Sequence, residues 1–472
     1  MTSMYFKKNL NFEIEITDIA DGGEGIGRID DFAVFVKDAL PGDLVEASFT
    51  KVKNNYGFAR LVRVIRPSID RVEPVCPVSR ACGGCQLQTL SYPAQLRYKQ
   101  KKVMNALTRI GGFDREFINL VTEDIIGMEE PYRYRNKAQY PIGTDRDGKL
   151  IAGFYAGRTH DIIPSEDCVL GCEENAVIIR IILEFMEEYS IEAYDAVTCR
   201  GLVRHVLIRK GHATGEILVC LVINSHEMPH AGVLVDRLKN IPGMSSISVS
   251  PNTSSGNVIM GDNAITIWGK GSIVDEILLN DGRSLRFNIS SLSFYQVNSV
   301  QMRRLYGKAL EYASLAGNET VWDLYCGIGT ITLLMAQAAG EVCGVEVIPD
   351  AIRDARENAA LNNISNVSFY VGRAEEVLPE YYALNGKNSF SHPDVIVVDP
   401  PRKGCDEKCL STMLAMEPDR IVYVSCDPAT LSRDLKLLCS EKYEIKKICP
   451  LDMFPQGVHV ETVCLMSRVE GK

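Results

Sequence analysis

From about residue 290 onward the chain repeats one pattern: a short, wholly apolar run, a turn, then a helix-length segment. The apolar runs are "TVWDLYCGIG", "EVCGVEVI", "NVSFYVG", "DVIVVDPP" and "RIVYVSCD". Strands apolar on every residue are buried on both faces, and the helices between them return the chain to the same edge. The pattern therefore predicts a parallel sheet with helices on both faces, whose ligands sit at the carboxyl ends of the strands. After the first run, Gly327 and Gly329 let the backbone pass close to a ligand. The second run ends in Glu346, 23 residues after Asp323, where an acid can accept hydrogen bonds from both ribose hydroxyls. The third glycine of a dinucleotide fingerprint is replaced by Ile331. With no pyrophosphate to cradle, that glycine is not required, so S-adenosylmethionine fits better than NAD.

The fourth and fifth runs carry the chemistry. Asp399 ends the fourth, and Pro400 and Pro401 stiffen the turn above it. Enzymes that methylate exocyclic amines usually place an aromatic residue next; here it is Arg402. The fifth run, in "IVYVSCDPATLSRDL", stops at Cys426, where Asp427 suits a helix cap and Pro428 its first turn. Backbone N–H groups and a helix dipole at that point favour a thiolate. A thiolate adding to C6 of uracil makes C5 nucleophilic enough to take a methyl group, after which a base must remove the C5 proton. "DMFPQGVHVETVCLMSRV" supplies His459 and Glu461 at the start of a strand, and Glu461 is the expected base.

The first half reads differently. At 472 residues the chain needs several domains. Alternating short runs punctuated by Gly, Asp and Pro over 12–66 predict a small β-barrel. The division expected is 1–68 barrel, 69–286 central α+β domain with a cysteine cluster, and 287–472 Rossmann-like domain. Net charge is −10, yet three basic runs interrupt the acidic chain: Lys51 to Arg66, Arg97 to Arg109, and "CRGLVRHVLIRKGH". Together they point to a polyanion such as RNA, with Lys51, Lys53, Tyr56, Phe58 and Arg60 offering phosphate contacts and stacking faces. No apolar run reaches the roughly 18 residues of a membrane span. The N-terminus lacks the apolar core of a signal peptide, so a cytoplasmic protein is expected. Fifteen cysteines in such a chain suggest metal binding or catalysis for some. Cys76, Cys82 and Cys85 follow a C-x5-C-x2-C spacing, with Cys168 and Cys172 as candidates for a fourth ligand. Spacing alone leaves an iron–sulfur cluster and zinc equally open.

"FYQVN", "DLYCGIGT", "DPPRKG", "SCDPATLSRDL" and "HVETV", in that order, resemble the RNA (uracil-5-)-methyltransferase family. The resemblance implies that Gln296, Tyr325, Glu346 and Asp399 bind S-adenosylmethionine, that Cys426 is the nucleophile and that Glu461 accepts the proton. The cysteine arrangement resembles family members carrying a [4Fe-4S] cluster, which selects Cys168 over Cys172. The barrel resembles the TRAM domain. Barrel plus cluster is the pattern of the 23S ribosomal-RNA members, so 23S rRNA is the expected partner. The same reaction on tRNA and a non-catalytic iron–sulfur RNA-binding factor are the alternatives. No obligate protein partner and no membrane are implied. The segment "YYALNGKNSFSH" is expected to be a surface loop.

Overall fold

In the computed structural model, which describes residues 6–157, 159–279, 281–385 and 392–469, the chain divides into two compact units. The first comprises Met1–Lys102, Phe154–Ile163 and Phe454–His459, and the second Val103–Gly153, Pro164–Met453 and Val460–Lys472. Residues 386–391, within the expected surface loop, lie outside the described residues.

The first unit holds a closed barrel of β1 (Asn11–Ile19), β2 (Gly25–Ile29), β3 (Phe32–Lys37), β4 (Leu44–Val52) and β5 (Tyr56–Arg66), paired in the order β1-β2-β3-β5-β4. Alternation along the strands sends Ile14, Ile16, Val34, Val36, Val45 and Phe49 inward. Closure leaves no strand edge to aggregate. The buried Asp43 fastens the chain leaving the barrel: its carboxylate accepts from Ser68 N (2.8 Å) and Leu40 N (2.7 Å) and pairs with Arg71 at 2.5 Å. Helix α1 (Tyr92–Arg109) follows the first cysteine cluster.

The second unit begins at Val103, within α1, and α2 (Arg115–Val121) follows. A seven-stranded sheet is formed by β6 (Lys137–Thr144), β7 (Leu150–Tyr155), β8 (Ile162–Pro164), β9 (Val203–Lys210), β10 (Ile217–Ile223), β11 (Met244–Pro251) and β12 (Ile265–Gly269). The strand order is β12-β11-β10-β9-β6-β7-β8. Helices α3 (Glu174–Glu188) and α4 (Ala231–Leu238) accompany it, and β13 (Ser272–Leu278) and β14 (Ser284–Ser290) form a separate antiparallel pair.

Beyond α5 (Ser299–Ala313) come β15 (Thr320–Leu324), α6 (Thr330–Met335), β16 (Glu341–Glu346), α7 (Pro349–Leu361), β17 (Val367–Val371), α8 (Ala374–Asn385) and β18 (Val395–Val398). Then follow α9 (Glu407–Met416), β19 (Arg420–Ser425), α10 (Pro428–Glu441), β20 (Tyr443–Leu451) and β21 (Glu461–Arg468). The seven strands lie in the order β17-β16-β15-β18-β19-β21-β20. Side chains such as Trp322, Leu324, Ile396, Val398 and Tyr423 pack with residues of α8, α9 and α10. The expected parallel sheet is present in β15 to β19. The last two strands depart from it: β21 runs antiparallel to both β19 and β20. That reversal brings the first residue of β21 to the edge where the parallel strands end.

Candidate active site

The carboxyl edge of this sheet collects the expected residues. Tyr325 follows β15, Glu346 ends β16, Asp399 follows β18 and Cys426 follows β19. Glu461 joins them because β21 is reversed. Its register pairs Ser425 with Thr462, the last rung of the ladder, so Cys426 just after β19 and Glu461 at the start of β21 come to the same end of the sheet. Ser425 is buried and Glu461 is only 3% exposed.

Asp427 is the N-cap of α10, accepting from Ala429 N (2.9 Å) and Thr430 N (3.0 Å), and Pro428 opens the helix. The capping carboxylate thus occupies N–H groups that were expected to favour the thiolate. Burial, followed by the Glu461 and Asp399 carboxylates, instead pushes the Cys426 thiol up to about 12, against a smaller lowering by Arg402. Burial and Asp399 raise Glu461 to about 8, and burial raises Asp399 to about 7. These acids crowd one another in a poorly hydrated space.

The loop after Asp399 is held by α10. Gly404 sits at φ +75°, and an added Cβ would lie 2.6 Å from both Arg433 Nη2 and Asp434 Oδ2. Arg433 donates to the carbonyls of Lys403 (3.0 Å) and Cys405 (3.1 Å). The buried Asp434 accepts from Tyr423 Oη (2.6 Å) and Cys405 N (2.9 Å). The "LSRDL" stretch therefore fixes the "PPRKG" turn, leaving Arg402 exposed beside the thiol and acid it influences.

On the cofactor side, Tyr325 has φ +71°, a conformation rare for a non-glycine residue and a mark of functional sites. Its N–H donates to Val345 O. Glu346 accepts from Gly327 N (3.3 Å) and Ile348 N (3.0 Å). Gly329 caps α6 at φ +85°, where a Cβ would lie 3.2 Å from Ala355. Ile331, in the place of the missing glycine, is buried. Gln296 is 7% exposed, and Asn136 Nδ2 donates to its carbonyl (2.9 Å).

Three residues here were not singled out from the sequence. Tyr306 of α5 is buried, hydrogen-bonds Gln296, and is held well above its ordinary value by burial and by Asp399, Glu461 and Asp323. Its apolar helical neighbours make it read as plain core. Asp323 is fully buried; one oxygen accepts from Thr332 Oγ1 (2.6 Å) and the other has no partner. Burial lifts it to about 7. Phe294, two residues before Gln296, is 70% exposed. An unsatisfied buried carboxylate, a partly buried acid at the end of β16 and a strained aromatic beside a glycine turn suit a nucleoside bearing an ammonium and a sulfonium. S-adenosylmethionine fits this donor set.

The cysteine cluster is less settled. Cys76 is buried and Cys82 and Cys85 are partly buried. Gly84 N–H points to Cys82 Sγ at 3.4 Å, and Gly83 donates to Tyr155 O. Cys168 belongs to the second unit, as does Cys172, whose thiol donates to Arg135 O (3.3 Å). Among the described residues no group of three or more His, Cys, Asp or Glu is placed to hold a metal ion. His459 lies in the first unit, with its ring edge-on to Phe454.

The three basic runs separate on inspection. In the second, Arg97 pairs with Asp70 (2.7 Å), Lys101 with Asp18 (2.9 Å), and the buried Lys99 donates to Phe454 O. In the third, Arg204 is buried against Tyr194, Arg209 is buried, and Lys210 pairs with Glu174. Arg97, Lys99, Lys101, Arg204 and Lys210 thus serve the fold instead of an open polyanion surface. The barrel run stays open: Lys51, Lys53 and Arg60 are exposed, beside an aromatic group of Phe35, Tyr56 and Phe58 with ring separations of 5.4–5.9 Å.

A model of the tRNA (uracil-5-)-methyltransferase family matches residues 257–469, and one of the TRAM domain matches residues 10–62. The chain is 49% identical over 460 residues to an uncharacterized RNA methyltransferase of Halalkalibacterium halodurans, covering 97% of each. It is 45% identical over 467 residues to another from Clostridium tetani, covering 99% of this chain and 98% of that one. The solved structure of Pyrococcus abyssi tRNA (uracil-54, C5)-methyltransferase with S-adenosyl-L-homocysteine superposes with a TM-score of 0.75 at 28% identity, over 96% of this chain and 99% of that one. Fold and site thus define an S-adenosylmethionine-dependent RNA methyltransferase with an N-terminal TRAM barrel. The chain belongs to the RNA (uracil-5-)-methyltransferase family. No helix among the described residues is long and apolar enough to cross a membrane.

Proposed function

We propose that this protein makes 5-methyluridine in 23S ribosomal RNA, with Cys426 as nucleophile and Glu461 as base. The observation that carries this reading is that the two residues flank the last rung of the β19–β21 ladder and that the Glu461 carboxylate acts on the Cys426 thiol. A thiol and a carboxyl in one buried site are what C5 methylation needs. Cys426 gives up its thiol proton to water and its sulfur adds to C6, so electron density moves onto C5. When bound, S-adenosylmethionine supplies the activated methyl group and a positive charge. Glu461 then takes the C5 proton, the C6–S bond breaks, and the C5=C6 double bond returns. Because its value is raised to about 8, Glu461 is a stronger base than an ordinary carboxylate. Gln296, Tyr325, Glu346 and Asp399 would hold the cofactor, and Arg402 would ease the charge around the thiol. The target uridine must leave its stack to reach Cys426.

The ribosomal substrate, the division into 1–68, 69–286 and 287–472, and the cytoplasmic location rest on sequence pattern and resemblance. The [4Fe-4S] cluster on Cys76, Cys82, Cys85 and Cys168 has the same basis, and no step of the reaction passes through it. Anaerobically purified protein should then carry about four irons per chain, lost in Cys168→Ala and kept in Cys172→Ala. Stoichiometric zinc would refute the cluster.

A second reading, the same reaction on tRNA, has a specific observation behind it. The Pyrococcus abyssi tRNA enzyme matches 96% of this chain, and the remainder is too short to contain the barrel. A barrel by itself therefore does not select ribosomal RNA. Incubating the protein with labelled S-adenosylmethionine and unmodified bulk RNA decides between them. Label at C5 of uridine in 23S RNA supports the proposal, label in tRNA supports the second reading, and no label would leave a non-catalytic RNA-binding factor.

A further inference from the structure

Strands β6 and β9 run antiparallel, and their register sets Lys137 directly opposite Arg209. Residues opposite each other share a face, and like charges in that position destabilise a sheet. Arg209 is only 3% exposed; it donates through Nη2 to Ser293 O, while its Nε is buried without a hydrogen-bond partner. Burial and the two neighbouring arginines, Arg209 and Arg135, lower Lys137 to about 7, and burial lowers Arg209 to about 10. Among the described residues no carboxylate forms an ion pair with either cation. The buried Asp275 is occupied elsewhere, accepting from Ala213 N (2.8 Å) and the hydroxyls of Tyr295 (3.3 Å) and Ser299 (3.2 Å).

A buried guanidinium lacking a counter-charge is costly unless an anion completes it. The position of the pair says which anion. Asn136, next to Lys137, donates from its backbone to Val297 O (2.8 Å) and from its side chain to Gln296 O (2.9 Å). The two cations therefore lie beside the segment between β14 and α5 that carries Gln296, with Arg209 donating to Ser293 O in it. An RNA whose uridine enters that site must bring its backbone past this point. Phosphate oxygens are the partners that Arg and Lys take in such complexes.

Resting on the reading above, we propose that Lys137 and Arg209 bind a backbone phosphate of the substrate RNA, close to the flipped nucleotide. The unsatisfied Arg209 Nε would set the direction of that phosphate, and Lys137, partly exposed, would supply most of the accessible charge.

The test uses the full-length protein and whichever unmodified RNA, 23S or transfer, the wild type methylates. Lys137→Gln should reduce the slope of log affinity against log salt by about one. Lys137→Arg should keep the wild-type slope, and S-adenosylmethionine affinity should be unchanged in both. Lys137→Met, which preserves the packed stem, serves in place of Lys137→Gln if that variant does not fold. An unchanged slope in a folded, uncharged variant, with the wild type still methylating RNA, would overturn this inference and leave the proposed function standing. A loss of S-adenosylmethionine affinity with an unchanged RNA slope would assign the cations to the cofactor's carboxylate instead. A wild type that methylates no RNA would remove both proposals.

Discussion

Cys426 follows and Glu461 precedes the last rung of the β19–β21 ladder, Ser425–Thr462, and the Glu461 carboxylate acts on the Cys426 thiol. The arrangement is set by backbone register, so a one-residue slip of β21 would place Glu461 on the wrong face. The carboxyl also acts on the thiol before any substrate arrives, because a negative neighbour opposes thiolate formation.

That electrostatic coupling can be titrated. Cys426 should react with iodoacetamide slowly near neutrality, its rate rising with pH towards a midpoint near 12. Glu461→Gln removes a negative neighbour, so the midpoint should fall and labelling at pH 8 should quicken. Peptide mass spectrometry of residue 426 against pH checks this. Equal profiles for the two proteins would mean that burial alone holds the thiol protonated.

Asp399 links the site to stability. A carboxyl raised from 3.8 to about 7 favours the folded state below its unfolded value, and that contribution is lost as pH rises through about 7. Unliganded protein should therefore lose stability between roughly pH 4 and pH 7, with about 4 kcal/mol as the upper bound from this group. Asp399→Asn should flatten the fall and weaken S-adenosylmethionine binding. Thermal melts across that pH range, with and without cofactor, read both effects.

The barrel surface makes a separate prediction. Lys51, Lys53 and Arg60 are exposed beside Phe35, Tyr56 and Phe58. Replacing the three cations with Gln should lower the salt dependence of RNA binding by roughly two in log–log slope. Cofactor affinity should not move. A matching change for Arg97 and Lys101, which already pair with Asp70 and Asp18, should have much less effect.

Some of this was legible in the sequence, and the reasons for the rest are physical. Period-two alternation in "FAVFVK" is enough to anticipate a barrel strand, and Gly329 and Glu346 stand where a cofactor turn requires them. Strand direction is different: "ETVCLMSR" is apolar on both faces, and such a run reads the same parallel or antiparallel. The basic runs misled because their partners lie far along the chain. Asp70 is 27 residues from Arg97, and Glu174 is 36 from Lys210. The state of Cys426 was hidden for the same reason. Its immediate neighbours suggest a helix terminus that favours the anion, whereas burial first, and then Glu461 and Asp399 from distant parts of the chain, hold the thiol protonated.

In the proposed mechanism Cys426 and Glu461 have jobs at different stages, so their loss should look different. Cys426→Ala removes addition to C6, C5 never becomes nucleophilic, and neither methyl transfer nor a covalent RNA adduct should appear. Glu461→Gln keeps the sulfur and the cofactor residues, so addition and methyl transfer proceed. Without a base for the C5 proton the C6–S bond cannot break by elimination, and protein joined to methylated RNA should accumulate. Net turnover should fall by about 10²–10⁴, the usual worth of a positioned general base. A denaturing gel of labelled RNA separates the two variants as an absent and a present shifted band. Normal turnover by Glu461→Gln would move the base elsewhere, and His459 would be the first residue to replace. Methylation by Cys426→Ala would show that the thiol at the end of β19 is only a buried apolar group.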